Sequence, residues 1–275
     1  MIYNETVIEV HGHSAKLRAY IPLEAPACAY KSKRPAVLIL PGGAYSITYE
    51  GEAEPVALKL CAEGICSFVL NYATFPDKQT FPIALAEAFS AMKFIRDNAR
   101  EYGIDENNIS VLGFSAGGHL CSCVGTLLYE DCLTPYLSEK REDYRANKMI
   151  LCYPVISTNE KIAHKGSFQN LLGKAFDKMN DGERELLSTD KKVGKHTPPT
   201  FIWTTAEDSS VPAQNSLDMA RALADNGIPF ELYVYPHGNH GLCTADHTSV
   251  QRHFGDTLEC SEWMSKAVRF IYDKK

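Results

Sequence analysis

The stretch that decides the fold is NNISVLGFSAGGHL, residues 107–120. Residues 109–112 form a short apolar run of strand type, and from Gly117 onward the chain has the character of a buried helix. The turn between them, residues 113–117, has the form G-x-S-x-G. Such an elbow holds its serine at strained backbone angles and needs glycine on both sides, because strand and helix backbones pass within contact distance there. The sequence therefore predicts an exposed, reactive Oγ at Ser115.

The same turn places a hydrogen-bond donor beside the serine. The amide of Ala116 lies at the positive end of the following helix and is expected to point toward the group that Oγ attacks. A glycine- and serine-rich turn without chemistry is the alternative, because five-residue motifs also occur by chance. The remainder of the chain has to decide between the two interpretations.

Composition limits the classes to which the protein can belong. Of its 275 residues, 45% are hydrophobic and 23% are charged, which is enough to bury the core of one large domain. The formal charge of −6 and the lack of a Lys/Arg-rich run argue against nucleic acid or an anionic membrane as the main partner. We expect a neutral or cationic small-molecule substrate.

Neither a signal peptide nor a membrane span is evident in the sequence, so a cytoplasmic protein is expected. The nine cysteines form no C-x-x-C pair and no zinc-like spacing with histidine, and they are expected to be reduced core residues. No metal site and no cofactor are predicted. The sequence does not indicate an oligomeric state.

Strand and helix patterns alternate along the chain. Residues 5–21 predict an antiparallel hairpin at a sheet edge, and the later rhythm predicts right-handed crossovers and an α/β fold. We expect a mostly parallel central sheet flanked by helices, in one domain spanning residues 1–275. Residues 156–200 are too many for an ordinary connection. They are interpreted as a small helical cap insertion, with helices near 168–176 and 181–187, or alternatively as a decorated surface loop.

Three polar side chains follow successive strands in the order serine, acid, histidine. Asp208 comes after the predicted strand at 201–205, and His240 comes after the one at 230–235. Because carboxyl ends of parallel strands meet at one edge of a sheet, both side chains can approach Ser115.

Each partner of Ser115 has a rival. Glu207 competes with Asp208, and His237 competes with His240, although the flexible turn before His240 favours the latter. His119 lies one helical turn after Ser115 and is expected to be a core or supporting residue.

Two further segments lie at the predicted carboxyl edge. Pro41, Gly42 and Gly43 follow a buried strand, and a glycine pair there leaves backbone amides unshielded, as an oxyanion hole requires. Asn71 and Tyr72 end the next strand, where open α/β sheets place ligands. The candidate substrate-binding residues are Tyr45, Asn71 and Tyr72.

These motifs together resemble the α/β-hydrolases, and among them the carbohydrate-esterase-like branch that is similar to acetylxylan esterases and hormone-sensitive-lipase-type esterases. The resemblance covers roughly residues 35–272. It implies Ser115 as nucleophile, His240 as general base and Asp208 as the acid that orients it. It also implies oxyanion donors at the amides of Gly43 and Ala116, with Gly42 as a further candidate, although the usual His-Gly-Gly-Gly reads Pro41-Gly42-Gly43-Ala44 here.

The activity that the resemblance implies is a serine carboxylic ester hydrolase. Its substrates would carry short acyl groups, such as acetyl, on sugars or oligosaccharides, and it would need no cofactor. An aryl formamidase or a serine peptidase of the same fold is the alternative within enzymes. A non-catalytic, hydrolase-like binding protein is the alternative of a different class.

Overall fold

The computed structural model describes residues 1–23, 33–76, 80–248 and 258–273. Eight strands in these residues form one sheet in the order β1-β2-β4-β3-β5-β6-β7-β8. Their bounds are β1 Ile2–Val10, β2 His13–Ile21, β3 Arg34–Leu40, β4 Cys66–Asn71, β5 Ile104–Phe114, β6 Lys148–Cys152, β7 Thr200–Thr205 and β8 Phe230–Tyr235.

The sheet is parallel from β4 to β8 and antiparallel only where β2 pairs with β1 and β4. The predicted edge hairpin and the predicted mostly parallel sheet are therefore both confirmed. Parallel strands send their carboxyl ends to one edge, so the loops after β3, β5, β6, β7 and β8 lie close to one another.

Helices cover both faces of the sheet. They are α1 Glu54–Ala62, α2 Ile83–Asp97, α3 Ser115–Thr126, α4 Lys165–Leu172, α5 Asp181–Leu187, α6 Gln214–Asp225 and α7 Trp263–Tyr272. Alternate residues of β3 belong to two separate buried clusters, because successive side chains of a strand point to opposite faces. Leu38 packs in the cluster with α2, α3 and α6, whereas Val37 packs in the cluster with α1 and α7.

The segment 156–200 contains α4 and α5, close to where helices are predicted. The first helix begins three residues before the predicted start and ends at Leu172, because Gly173 takes a left-handed φ of 64° and terminates it. The second matches its predicted bounds and starts with a capping box between Asn180 and Glu183.

The cysteines that the structure describes are free thiols, and all except the partly exposed Cys132 are buried. Burial raises the pKa of the Cys260 thiol to about 11 and that of the Cys66 thiol to about 12, so these groups stay protonated at neutral pH. Cys28 lies outside the described residues. Within the described ranges, no helix has both the length and the apolar character needed to cross a membrane.

Candidate active site

The serine elbow lies at the carboxyl end of β5, in the middle of the sheet. Strand β5 ends at Phe114 and α3 begins at Ser115, which has a φ of 52°. A Cβ atom on Gly113 would lie 2.1 Å from the carbonyl oxygen of Gly117, and one on Gly117 would lie 2.1 Å from that of Leu40. Only glycine fits at either position, as the sequence predicts.

Ser115, His240 and Asp208 lie within hydrogen-bonding distance of one another in a row. The Oγ atom of Ser115 is 2.7 Å from Nε2 of His240, and Nδ1 of His240 is 2.7 Å from Oδ2 of Asp208. A carboxylate only accepts hydrogen bonds, so Nδ1 carries the proton that is donated to Asp208. Nε2 is then free to accept the hydroxyl proton of Ser115.

The loop after β7 fixes the Asp208 carboxylate. Its Oδ1 atom accepts hydrogen bonds from the amides of Ser210 and Val211, at 3.0 and 2.8 Å, while the side chain is only 1% exposed. One oxygen is therefore held by the backbone of its own loop and the other faces the imidazole. This geometry restrains the ring of His240 in one tautomer and one orientation.

The rival candidates Glu207, His237 and His119 lie outside the row formed by Ser115, His240 and Asp208. Glu207 accepts from His237, with Oε1 3.0 Å from Nδ1, and their side chains are 56% and 76% exposed. His119 is fully buried, donates through Nε2 to the carbonyl of Leu187 at 2.9 Å, and accepts through Nδ1 from the hydroxyl of Tyr45 at 2.8 Å. Burial lowers the pKa of His119 to about 4.

The loop after β3, residues 41–47, turns back beside the elbow through left-handed conformations. Gly43, Ala44 and Tyr45 have φ values of 124°, 54° and 58°, which for non-glycine residues need support from the surroundings. That support includes a bond from the amide of Phe75 to the carbonyl of Tyr45, and one from Asn170 Nδ2 to the carbonyl of Ala44, both 2.8 Å long.

Among the residues that the structure describes, the amide of Gly43 has no protein acceptor, and that of Ala116 belongs to the unpaired first turn of α3. The amide of Gly42 differs, because it donates to Oε2 of Glu52 at 2.7 Å. It is therefore not available to an oxyanion, which corrects the expectation for Gly42. The glycine is still required, since a Cβ there would lie 2.7 Å from the same Oε2 and 2.9 Å from the carbonyl oxygen of Phe114.

The candidate substrate-binding residues Tyr45, Asn71 and Tyr72 are not among the residues that line the cavity above Ser115. Each polar group finds a partner inside the fold. The Tyr72 hydroxyl donates to the carbonyl of Pro41, the Asn71 amide donates to Thr48 Oγ1 at 2.8 Å, and the Tyr45 hydroxyl binds His119. These bonds hold the loop beside the elbow.

The cavity above Ser115 has a volume of about 320 Å³, at the small end of the range for ligand pockets. Its lining residues are Gly43, Ala44, Ile47, Tyr49, Glu52, Ser115, His164, Ser210, His240 and Gly241. Sequence reasoning missed Glu52 and His164, because an isolated glutamate or histidine outside a strand or a long helix gives no periodic signal.

His164 brings the segment 156–200 to the cavity. Its Nδ1 accepts from the amide of Ser167 at 3.3 Å and lies 2.8 Å from that residue's hydroxyl. Burial, followed by the nearby His240, lowers the pKa of His164. The neutral ring therefore carries its proton on Nε2. In the described part of the chain, no cluster of three or more His, Cys, Asp or Glu side chains is arranged to hold a metal ion.

Comparison with known proteins places the chain in a family. The sequence model of BD-FAE matches residues 23–223. The chain belongs to the BD-FAE family. Solved structures agree with the α/β-hydrolase fold predicted from the sequence. The acetyl ester-xyloside bifunctional hydrolase from Caldicellulosiruptor lactoaceticus is 38% identical, has a TM-score of 0.78, and is matched over 94% of this chain and 87% of that one.

Other relatives of this BD-FAE member are also esterases or xylan-degrading enzymes. Acetylxylan esterase of Xylanibacter ruminicola is 35% identical over 75% of this chain and 41% of its own length. Endo-1,4-beta-xylanase B of Butyrivibrio fibrisolvens is 37% identical over 78% of this chain and 33% of its own. The chain thus spans only about a third to two-fifths of these relatives. Carboxylesterase Cest-2923 from Lactobacillus plantarum, 26% identical with a TM-score of 0.83, is matched over 97% of its length.

Proposed function

We propose that this protein is a serine carboxylic ester hydrolase that removes short acyl groups, in particular acetyl, from sugars or oligosaccharides. The observation that carries the proposal is the row of hydrogen bonds from Ser115 through His240 to Asp208, at 2.7 Å each. The small cavity supports a short acyl group. The acetylxylan esterase and the acetyl ester-xyloside hydrolase among its relatives support an acetylated sugar as the substrate.

The positions of the proton acceptor and of the hydrogen-bond donors define the first step of the proposed reaction. As Ser115 Oγ attacks the ester carbonyl carbon, His240 Nε2 takes its proton, and Asp208 stabilises the imidazolium through Nδ1. The carbonyl oxygen becomes an oxyanion, which the amides of Gly43 and Ala116 are proposed to bind. Each such donor contributes about 2.7 to 4 kcal/mol in comparable sites.

Collapse of the tetrahedral intermediate breaks the bond to the leaving alcohol. His240 gives its proton to that oxygen and leaves an acyl group on Ser115. Water then loses a proton to His240, attacks the acyl carbon and releases the carboxylic acid, which restores the Ser115 hydroxyl. Every proton is carried by His240.

The segment 156–200 is proposed to act as a small cap over this site. Its Asn170 donates to the carbonyl of Ala44 in the loop of residues 41–47, here called the oxyanion loop, and its His164 lines the cavity with a protonated Nε2. We infer that this imidazole donates a hydrogen bond to the alcohol part of the substrate.

Fluorophosphonate labelling combined with a substrate panel tests the proposal. We expect covalent labelling of Ser115, absence of labelling in Ser115→Ala, and a fall in ester kcat of at least about 10⁴-fold in that variant. The panel compares nitrophenyl acetate, butyrate and longer esters with acetylated xylo-oligosaccharides, measured by acetic acid release. Near-normal turnover by a folded Ser115→Ala variant would exclude the serine mechanism. An unlabelled and inactive wild type would support the non-catalytic alternative.

A further inference from the structure

The carboxyl group of Glu52 lies beside the active site and is shared between two loops. Glu52 lines the cavity, yet only 2% of its surface is exposed. Its Oε2 atom accepts from the amide of Gly42 at 2.7 Å, and its Oε1 atom accepts from the hydroxyl of Tyr153 at 2.8 Å. A buried carboxyl group is costly unless its oxygens are hydrogen-bonded, so this environment fixes both the position and the orientation of the group.

Tyr153 extends the connection to the loop that carries the general base. Its hydroxyl oxygen accepts from the amide of Cys243 at 2.9 Å, three residues beyond His240. Its ring packs against the imidazole of His240, with the two centroids 5.0 Å apart. A continuous row of hydrogen bonds therefore runs from Gly42 in the oxyanion loop, through Glu52 and Tyr153, to the histidine loop.

This row holds backbone that would not keep its conformation alone. Tyr153 and Cys243 have φ values of 37° and 55°, and Gly42 immediately precedes the left-handed turn at residues 43–45. Non-glycine residues at positive φ are strained, and they persist only where neighbouring groups hold them. The bonds of Glu52 and Tyr153 are such holding contacts.

We propose that Glu52 is a positioning residue for the ester hydrolysis proposed above. Its carboxyl group fixes the distance between the oxyanion donor at Gly43 and the general base His240. The inference rests on that proposed function, because the distance matters only if an oxyanion forms between the two loops.

The physical consequence concerns the transition state more than substrate binding. Oxyanion donors act when they lie about 2.7–3.1 Å from the developing charge, and a displacement of about 1 Å can reduce the rate by about 10²-fold. Burial raises the pKa of Glu52, although the hydrogen bonds from Tyr153 and Gly42 oppose the shift.

Variants at Glu52 separate the hydrogen bonds from the charge. Glu52→Leu removes both acceptors, and we expect kcat for nitrophenyl acetate to fall about 10²-fold while KM changes by less than about threefold. Glu52→Gln keeps a carbonyl oxygen that accepts from the amide of Gly42, whereas its NH2 group can bond to Tyr153 only in the reverse direction, as a donor to the hydroxyl oxygen. It should retain kcat to within about fivefold of wild type.

Glu50→Leu is the matched control, because Glu50 lies two residues away, has a side chain that is 61% exposed, and pairs with Arg18 instead of the catalytic loops. It should leave kcat unchanged. Tyr153→Phe removes the middle hydroxyl and should lower kcat, and the double variant with Glu52→Leu should be no slower than Glu52→Leu alone.

The inference is overturned if wild type hydrolyses the ester but Glu52→Leu keeps its kcat, or if Glu52→Gln loses as much kcat as Glu52→Leu. If Glu52→Leu does not fold, Tyr153→Phe decides, since an unchanged kcat in that variant contradicts the row of hydrogen bonds. A wild type without esterase activity would instead contradict the proposed function, so the two failures are distinguishable.

Discussion

Asp208 and Glu207 are adjacent in the sequence but their carboxylates occupy opposite environments. The Asp208 side chain is 1% exposed and binds His240, whereas the Glu207 side chain is 56% exposed and binds His237. The exposed pair is screened by water and contributes little to stability. Only the buried pair includes a histidine that reaches Ser115, and this difference leads to the first two predictions.

Substitution of the two acids should have very different effects on catalysis. Asp208→Asn keeps the shape of the side chain but presents an amide to His240 and favours the wrong tautomer, so kcat should fall about 10⁴-fold. Glu207→Gln is the matched control and should retain most activity. Steady-state kinetics with nitrophenyl acetate measure both, and a larger loss in Glu207→Gln would assign the orienting acid to Glu207.

The two histidines of the β8 loop should differ in the same way. His240→Ala removes the group 2.7 Å from Ser115 Oγ and should abolish turnover as fully as Ser115→Ala. Residues that act as one unit are not additive, so the double variant should be no slower than either single variant. His237→Ala should retain most activity, because its ring is exposed and binds Glu207. An inactive His237→Ala beside an active His240→Ala would transfer the general base to His237.

Gly117, two residues after Ser115, should be essential for full stability. In Gly117→Ala the new Cβ would lie 2.1 Å from a backbone oxygen of Leu40. The free energy of unfolding should fall by about 3 kcal/mol or more, the upper end for overpacked sites. Gly194→Ala is the control, because a Cβ at Gly194 meets no atom within 4 Å, and it should change stability by less than about 0.5 kcal/mol. Urea unfolding compares them, and equal stabilities would contradict the close approach.

The buried His119 should make stability depend on pH. Its pKa is lowered from 6.5 to about 4, so between these values the unfolded chain binds a proton that the folded chain does not. The stability due to neutral His119 is complete above pH 6.5 and is lost as pH falls to about 4. Over that range, wild type should lose roughly 3 kcal/mol more than His119→Gln.

Urea unfolding of both proteins at about pH 7.5 and about pH 4 measures this difference. His119→Gln also removes bonds to Tyr45 and Leu187, so it should be less stable at the higher pH, and the gap should narrow as pH falls. A gap that stays constant with pH would mean that His119 titrates alike in folded and unfolded chains.

Much of the architecture follows from local sequence patterns. Unbroken apolar runs such as residues 36–40 specify strands buried on both faces, and alternation with helices specifies a parallel sheet. The glycines at 113 and 117 specify the elbow, because no other residue fits there. The order of Ser115, Asp208 and His240 along the chain was enough to nominate three side chains that the structure brings into one row.

What the sequence could not determine are the partners of isolated polar groups. Tyr45, Asn71 and Tyr72 lie at the carboxyl edge of the sheet. Their polar atoms bind, in that order, His119, Thr48 and a backbone carbonyl inside the fold. Glu52 is the reverse case. A glutamate is usually exposed to solvent, but the fold buries this one. Its hydrogen bonds to Gly42 and Tyr153 join residues 10 and 101 positions away. Such contacts form only when segments distant in the sequence pack together, so no local sequence pattern predicts them.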